Sequence, residues 1–155
     1  MVEVIRGNLF DSSAQTLVNA VNCVGVMGKG IALEFRRRYP AMFADYQRRC
    51  RSKQVVIGRP YLYRHSDQRW ILNFPTKQHW RSRSRPEYIV SGLEFLSLHY
   101  RQWGITSIAF PLLATGLGGL DRTEILGVMT DSLKPLVIPV AIFIPDDGEL
   151  AGPPL

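Results

Sequence analysis

The sequence predicts a layered α/β domain, and three observations carry the prediction. Short apolar runs suited to strands alternate with stretches of helical periodicity. Glycine-rich or polar turns separate them, and no repeat, low-complexity tract or long linker divides the chain. The 155 residues suffice for one domain, with 46% hydrophobic and 21% charged residues, the balance of an ordinary globular protein.

Taken in order, Val2 to Arg6 reads as a first strand stopped by Gly7-Asn8, and Thr16 to Val21 as a second. Gly30 to Arg38 reads as a helix that stops before Pro40, and Ala41 to Arg51 as another. Pro60 to Arg64 and Arg69 to Phe74 read as paired strands around a polar turn at His65-Ser66-Asp67. The best-marked helix starts near Arg85. Ser84 and Glu87 have capping-box spacing, and Pro86 falls in the first turn, where its missing N–H costs nothing. Ile89, Leu93, Leu96 and Tyr100 give that helix one apolar face, and Gly104 suits its stop. Ile105 to Phe110 reads as a short interior strand, Asp121 to Leu133 as a last long helix before Pro135, and Val140 to Ile144 as a last strand.

Composition excludes several classes. No apolar run approaches the roughly 20 residues of a membrane helix, the longest being broken by Pro135, Pro139 and Pro145. The N-terminal MVEVIRGN has no basic-then-apolar leader, so secretion is not expected. Cys23 and Cys50 are too few for a disulfide framework or thiolate metal site, and no His/Cys/Asp cluster has metal spacing. A reducing cytoplasm and no metal or cofactor are the expectation. The charge is uneven: residues 29 to 85 hold fifteen of the nineteen basic groups against three acids, a net +12, while the rest of the chain nets −6. Such a field suits a polyanion, nucleic acid above all, and equally describes a solvated basic face. The Arg36-Arg37-Arg38 triplet ends a helix, where it complements the helix dipole.

Two glycine-rich turns stand out, Met27-Gly28-Lys29-Gly30 and Thr115-Gly116-Leu117-Gly118-Gly119, each leading towards a helix. Without Cβ atoms, backbone N–H groups turn towards a ligand, and the helix N-terminus adds positive potential. Side by side, two such turns hold a diphosphate. Neither has dinucleotide-fold or P-loop spacing, which argues against a dehydrogenase or kinase. Val18-Asn19-Ala20-Val21-Asn22 places two amides in an apolar strand, where Asn is depleted. They suit sugar hydroxyls, or a local side-chain turn.

Together, Gly7-Asn8-Leu9, Val18 to Asn22, Gly28-Lys29-Gly30 and Ala114 to Leu120 resemble the macrodomain, an ADP-ribose-binding fold, over nearly the whole chain. The resemblance implies one macrodomain over 1–155, with three α/β/α layers and a mixed, mostly parallel central sheet. It implies that Asn8 and Leu9 contact adenosine and that Asn19 and Asn22 contact the distal ribose. It assigns the diphosphate to Gly28, Lys29, Gly30 and Ile31 with Thr115, Gly116, Leu117, Gly118, Gly119 and Leu120. Most macrodomains have Asp where this chain has Asn8, so adenine is read by an amide or by backbone.

A narrower resemblance rests on Asn73-Phe74-Pro75-Thr76-Lys77-Gln78-His79-Trp80-Arg81. This run is similar to the DarG family of DNA ADP-ribosyl glycohydrolases, bacterial antitoxins, and to the human terminal ADP-ribose glycohydrolase. It implies that Lys77 is catalytic. The human relative's catalytic Asp matches Gly118 here, which leaves Asp121 as the nearest acid for a supporting role. Asp121 with Glu124 also has helix N-cap spacing. From the residues themselves, Lys77 lies in a Pro-Thr loop, where burial and the cations Arg81, Arg83 and Arg85 are expected to lower its pKa. His79, Trp80, Arg81, Arg83 and Arg85 suit single-stranded nucleic acid, with Trp80 stacking on an unpaired base.

These readings converge on an enzyme that frees ADP-ribose from ADP-ribosylated, single-stranded DNA bases, acting as a cytoplasmic monomer. The resemblance implies DarT as the toxin partner, no membrane partner, and ADP-ribose as product. Two other readings stay open: an ADP-ribose reader without turnover, and a hydrolase of ADP-ribosyl esters on proteins. The chain ends at Leu155 after Gly-Pro-Pro, so the toxin-binding region of the family is expected to be absent.

Overall fold

The computed structural model describes residues 1–146. Six strands, β1 (Val2–Arg6), β2 (Thr16–Asn22), β3 (Tyr61–Arg64), β4 (Trp70–Lys77), β5 (Ile108–Pro111) and β6 (Val140–Ile144), form one sheet. Their order is β1-β6-β5-β2-β4-β3, and every neighbouring pair is parallel except β3 with β4. Helices α1 (Gly30–Arg38) and α2 (Pro40–Arg51) cover one face, and α3 (Pro86–Trp103) and α4 (Arg122–Leu133) the other. The three-layer architecture and the mixed, mostly parallel sheet are those expected. Residues 147–155, which include the end of the expected domain, lie outside the described residues.

Strand parity builds two cores. On one side Val18, Leu72, Phe74 and Phe110 pack against Ile89, Leu93 and Leu96 of α3 and Ile125 and Met129 of α4. On the other, Leu17, Val21 and Ile71 meet Phe35 of α1 and Met42 and Tyr46 of α2. Successive side chains of a strand point to opposite faces, so Asn19, between Leu17 and Val21, is carried into the second core. A register shift between Val21 and Asn22 breaks the alternation, and Asn22 pairs with Lys77 instead of Thr76.

Three local expectations need correction. Ile105 to Ser107 are not strand. Ile105 N–H completes the end of α3 on Tyr100 O, and Thr106 N–H donates to Gln15 Oε1 (2.9 Å), so β5 starts only at Ile108. The Ser84–Glu87 capping box does not form. Arg85 is the N-cap, without a side-chain hydrogen bond, because the Ser84 hydroxyl donates to Thr76 O instead. Finally, β4 runs on to Lys77, past Pro75, whose missing N–H makes the run read as ending at Phe74.

Candidate active site

Strands β1, β6, β5, β2 and β4 all run in one direction and open at the same end of the sheet. Ligands of parallel sheets bind beyond such carboxyl ends. There the loops enclose a cavity of about 880 Å³, walled by both glycine loops, Asn22 and Lys77.

At the first loop, Lys29 is the N-cap of α1 in extended conformation, and no side chain caps the helix. The N–H groups of the first turn, at Gly30, Ile31 and Ala32, therefore belong to residues that line the cavity. An anion there gains both these donors and the helix dipole. The approach to this loop is held by side chains. Asn22 donates from Nδ2 to Val26 O (2.8 Å) and accepts at Oδ1 from Val24 N–H (3.1 Å) and Tyr46 Oη (2.8 Å).

The second loop is held by its own backbone. Ala114 (φ 62°) and Gly119 (φ 78°) turn the chain, and Leu120 N–H donates to Ala114 O (3.0 Å). A Cβ on Gly118 would lie 2.5 Å from Ala114 O, so only glycine fits. Ser84 and Arg83 brace the loop from outside: Ser84 N–H donates to Gly118 O (3.0 Å), and Arg83 donates to Gly119 O (3.2 Å). Through its hydroxyl, Ser84 also fastens Thr76, the neighbour of Lys77.

Lys77 closes the wall between these loops. It is 8% exposed, and its Nζ donates to Trp80 O at 2.9 Å. Burial holds its pKa below the ordinary 10.5. This corrects two expectations: Lys77 sits on a strand and not in a loop, and burial rather than the arginines lowers its pKa. Arg81 instead lies over the Trp80 ring (4.5 Å to its centroid), Arg83 holds Gly119, and Arg85 begins α3.

Most of the expected site residues meet in this cavity. Asn8, Leu9, Asn22, Gly28, Lys29, Gly30, Ile31, Lys77, Trp80, Arg81 and the run Thr115 to Gly118 line it. Asn8 also caps the short 3-10 turn Leu9–Asp11, accepting from Phe10 N–H (2.9 Å). Asn19, Gly119, Leu120, Asp121, His79, Arg83 and Arg85 stand outside the lining, each for a local reason. Asn19 is fully buried and donates to Asn73 Oδ1 (3.1 Å), while its own Oδ1 has no partner. Gly119 and Leu120 turn their N–H groups back into the loop, and Asp121 caps α4 by accepting from Glu124 N–H (2.9 Å). His79 packs against Trp80, with ring centroids 5.2 Å apart.

Sequence reading missed Phe10, Thr76, Arg122 and Phe143 in the lining, and the bracing by Ser84. Phe10 adjoined a recognised motif and was legible; Phe143 becomes a wall only because β6 lies between β1 and β5. Among the described residues, no group of three His, Cys, Asp or Glu side chains is placed to hold a metal ion. The Cys23 thiol is pushed up to about 11, chiefly by burial, and burial raises Cys50 as well, so neither is a thiolate nucleophile at neutral pH. No helix among the described residues is long and apolar enough to cross a membrane.

Residues 18–129 match the Macro domain, and the chain belongs to that family. Within it, the chain is 42% identical over 139 residues to the DNA ADP-ribosyl glycohydrolase of Thermus aquaticus, and 40% identical over 151 residues to that of Mycobacterium tuberculosis. These matches take in 88% and 96% of this chain but 39% and 43% of the relatives, so the chain spans about two fifths of their length. Its fold is similar to the macrodomain of Mycobacterium tuberculosis DarG, with TM-score 0.88 and 40% identity over 95% of this chain and 99% of that one. It is also similar to Thermosipho africanus DarTG in complex with ADP-ribose, with TM-score 0.90 and 39% identity over 94% of this chain and 42% of that one.

Proposed function

We propose that this macrodomain is a hydrolase that releases ADP-ribose from ADP-ribosylated DNA bases. One observation carries the reading: a buried lysine, Lys77, in the wall between two diphosphate-type loops and three residues before the exposed Trp80. The similarity to proteins named DNA ADP-ribosyl glycohydrolase supports it. In the bound substrate the α1 N-terminus and the second glycine loop hold the diphosphate, Asn8, Leu9 and Phe10 face the adenosine, and Asn22 the distal ribose. Trp80 stacks on the modified base in a single strand, with Arg81 and Arg85 towards the phosphates, while Arg83 stays on Gly119 O.

Burial makes loss of the Lys77 proton easier, which gives the amine a lone pair. That pair forms a bond to the anomeric carbon as the glycosidic C–N bond breaks. Its electrons leave with the base nitrogen, which takes up a proton. Water then cleaves the adduct and restores the amine. Asp121 has no chemical part in this scheme, because its carboxylate caps α4. The partner is an enzyme that attaches ADP-ribose to DNA, a DarT toxin. The Thermosipho africanus relative is named as a fusion of a DNA ADP-ribosyl transferase with a DNA ADP-ribosyl glycohydrolase. Both work in the cytoplasm, where their DNA substrate lies.

The test is Lys77→Ala. Turnover of an ADP-ribosylated oligonucleotide should fall at least about a thousandfold, while ADP-ribose affinity by calorimetry stays within about tenfold. Lys77→Arg should fail as fully, since guanidinium stays protonated. Wild-type turnover in Lys77→Ala would assign the chemistry to a different catalytic group, and absence of turnover in the wild type would return the chain to a reader of ADP-ribose.

A further inference from the structure

A second aromatic and basic cluster lies away from the cavity, at the β3 edge of the sheet. β3 pairs with β4 on one side only. Around it three arginines sit over rings: Arg49 over Tyr61 (4.6 Å to the centroid), Arg59 over Phe95 (5.7 Å) and Arg64 over Trp70 (4.6 Å). On α3, Phe95, His99 and Trp103 stack in succession, with centroids 4.1 and 5.4 Å apart. Arg64 donates to Trp103 O (3.1 Å), and the two border a groove of about 460 Å³ with Arg49, Tyr61 and Tyr63.

We propose that this edge is a phosphate track for single-stranded DNA, taking the strand that flanks the modified base. The inference rests on the DNA reading above and adds a surface to it. A ring beneath a guanidinium fixes its plane and leaves N–H donors for phosphate oxygens. Arg49, Arg59 and Arg64 all belong to the stretch of net +12. Asp45 engages Arg49 at 2.8 Å, but Arg59 and Arg64 form no ion pair among the described residues. The acids nearby in sequence are Glu94, beside Phe95, and Asp67, in the β3–β4 turn. Charges on an edge strand also deter strand addition. That accounts for Arg64, yet not for Arg59, which precedes the strand, nor for Arg49 on α2.

Distance sets the test. Arg64 pairs with Trp70 at the far end of β4 from Lys77, seven strand steps or about 23 Å away. At the duplex rise of about 3.4 Å per nucleotide, roughly seven nucleotides would cover this distance, and an extended single strand covers it in fewer. The experiment compares wild type with Arg59→Ala/Arg64→Ala on single-stranded oligonucleotides of about 4 and about 20 nucleotides, each with one ADP-ribosylated base, and on the unmodified longer strand. Anisotropy across a salt series and turnover are read together, and thermal melting checks the fold of the variant. The variant should bind the longer strands about tenfold or more weakly, with the salt slope reduced by up to about 1.4 for two lost contacts. Its binding and turnover of the short oligonucleotide should match wild type. Unchanged affinity and slope on the longer strands would overturn the track. Wild type that cleaves the short substrate but shows no length dependence would overturn the track and leave the hydrolase. Wild type that cleaves neither, yet binds the unmodified strand through Arg59 and Arg64, would leave the track and remove the hydrolase. Binding of polyglutamate through these arginines without binding of DNA would make the edge a protein-docking surface and overturn the track.

Discussion

The two glycine loops meet across one cavity but are stabilised in opposite ways. Beyond Asn22, the first is tied down by side chains from outside it: Tyr46 of α2 donates to both Asn22 O and Asn22 Oδ1 at 2.8 Å, and Gln47 donates to Gly25 O. Its glycines have room, since a Cβ on Gly28 would meet nothing nearer than Val26 Cγ1 at 3.5 Å. The second loop turns on itself, with Gly118 pressed against the Ala114 backbone. The helices they lead to differ as well. The start of α1 has no side-chain cap, whereas Asp121 accepts from Glu124 N–H at the start of α4. Glycine thus does two jobs here. In the second loop, and at Gly30 (φ 59°) in the first, it permits a turn of the chain, whereas at Gly28 it clears the surface beside a helix terminus.

Substitutions separate those jobs. The largest effect is expected from Gly118→Ala, whose methyl must displace backbone. A cost of about 2–3 kcal/mol should lower ADP-ribose affinity roughly 100-fold and depress the melting temperature. Calorimetry with near-normal affinity would show that the loop can relax and that its closure is not tied to binding. Next is Tyr46→Phe. It strips a donor from two oxygens of Asn22 and should cost about 1–3 kcal/mol of stability, with about tenfold of affinity lost from the first loop. An unchanged denaturation midpoint would mean that water or Asn22 itself replaces the bond.

Lys77→Met probes the wall between the loops. Burial lowers the folded-state pKa of Lys77 below the ordinary 10.5, so the unfolded chain binds its proton more tightly. Wild-type stability therefore rises with pH from the lowered value up to 10.5, and the Met variant lacks that rise. The variant should be the more stable protein at neutral pH, with the gap closing through that window. Urea melts showing a constant gap would argue against a destabilised ammonium. The smallest effect is expected from Gly28→Ala, within about 1 kcal/mol of wild type in stability and severalfold in affinity, since its Cβ has space. A loss as large as that of Gly118→Ala would erase the distinction between the loops.

Local chemistry was legible where a residue's neighbours in sequence are its neighbours in space. Gly104 closes α3, Asp121 caps α4 and Arg36 to Arg38 end α1, each from a pattern a few residues long. The two glycine loops and Lys77 were legible as site components for the same reason, with the macrodomain resemblance supplying their order. Where a distant partner competes for the same atom, the local pattern misled. Ser84 has the spacing of a cap, but Thr76 O and Gly118 O claim it, and burial closes that choice because carbonyls inside the protein must be satisfied.

What the sequence alone determined is the alternation of strands and helices, the glycine turns, the basic half of the chain and the identity of the candidate lysine. What the tertiary structure decided is which of these meet. Strand order sets β6 between β1 and β5 and so brings Phe143 into the cavity wall. Strand parity and one register shift, invisible in the Val18 to Asn22 motif, send Asn19 into a core and Asn22 to the site. Pairing with β2 carries β4 through Pro75 and buries Lys77, which sets its proton affinity. The physical reason is common to all three: side-chain direction and burial depend on hydrogen-bonded partners far along the chain, and a local pattern does not encode which partner a strand will find.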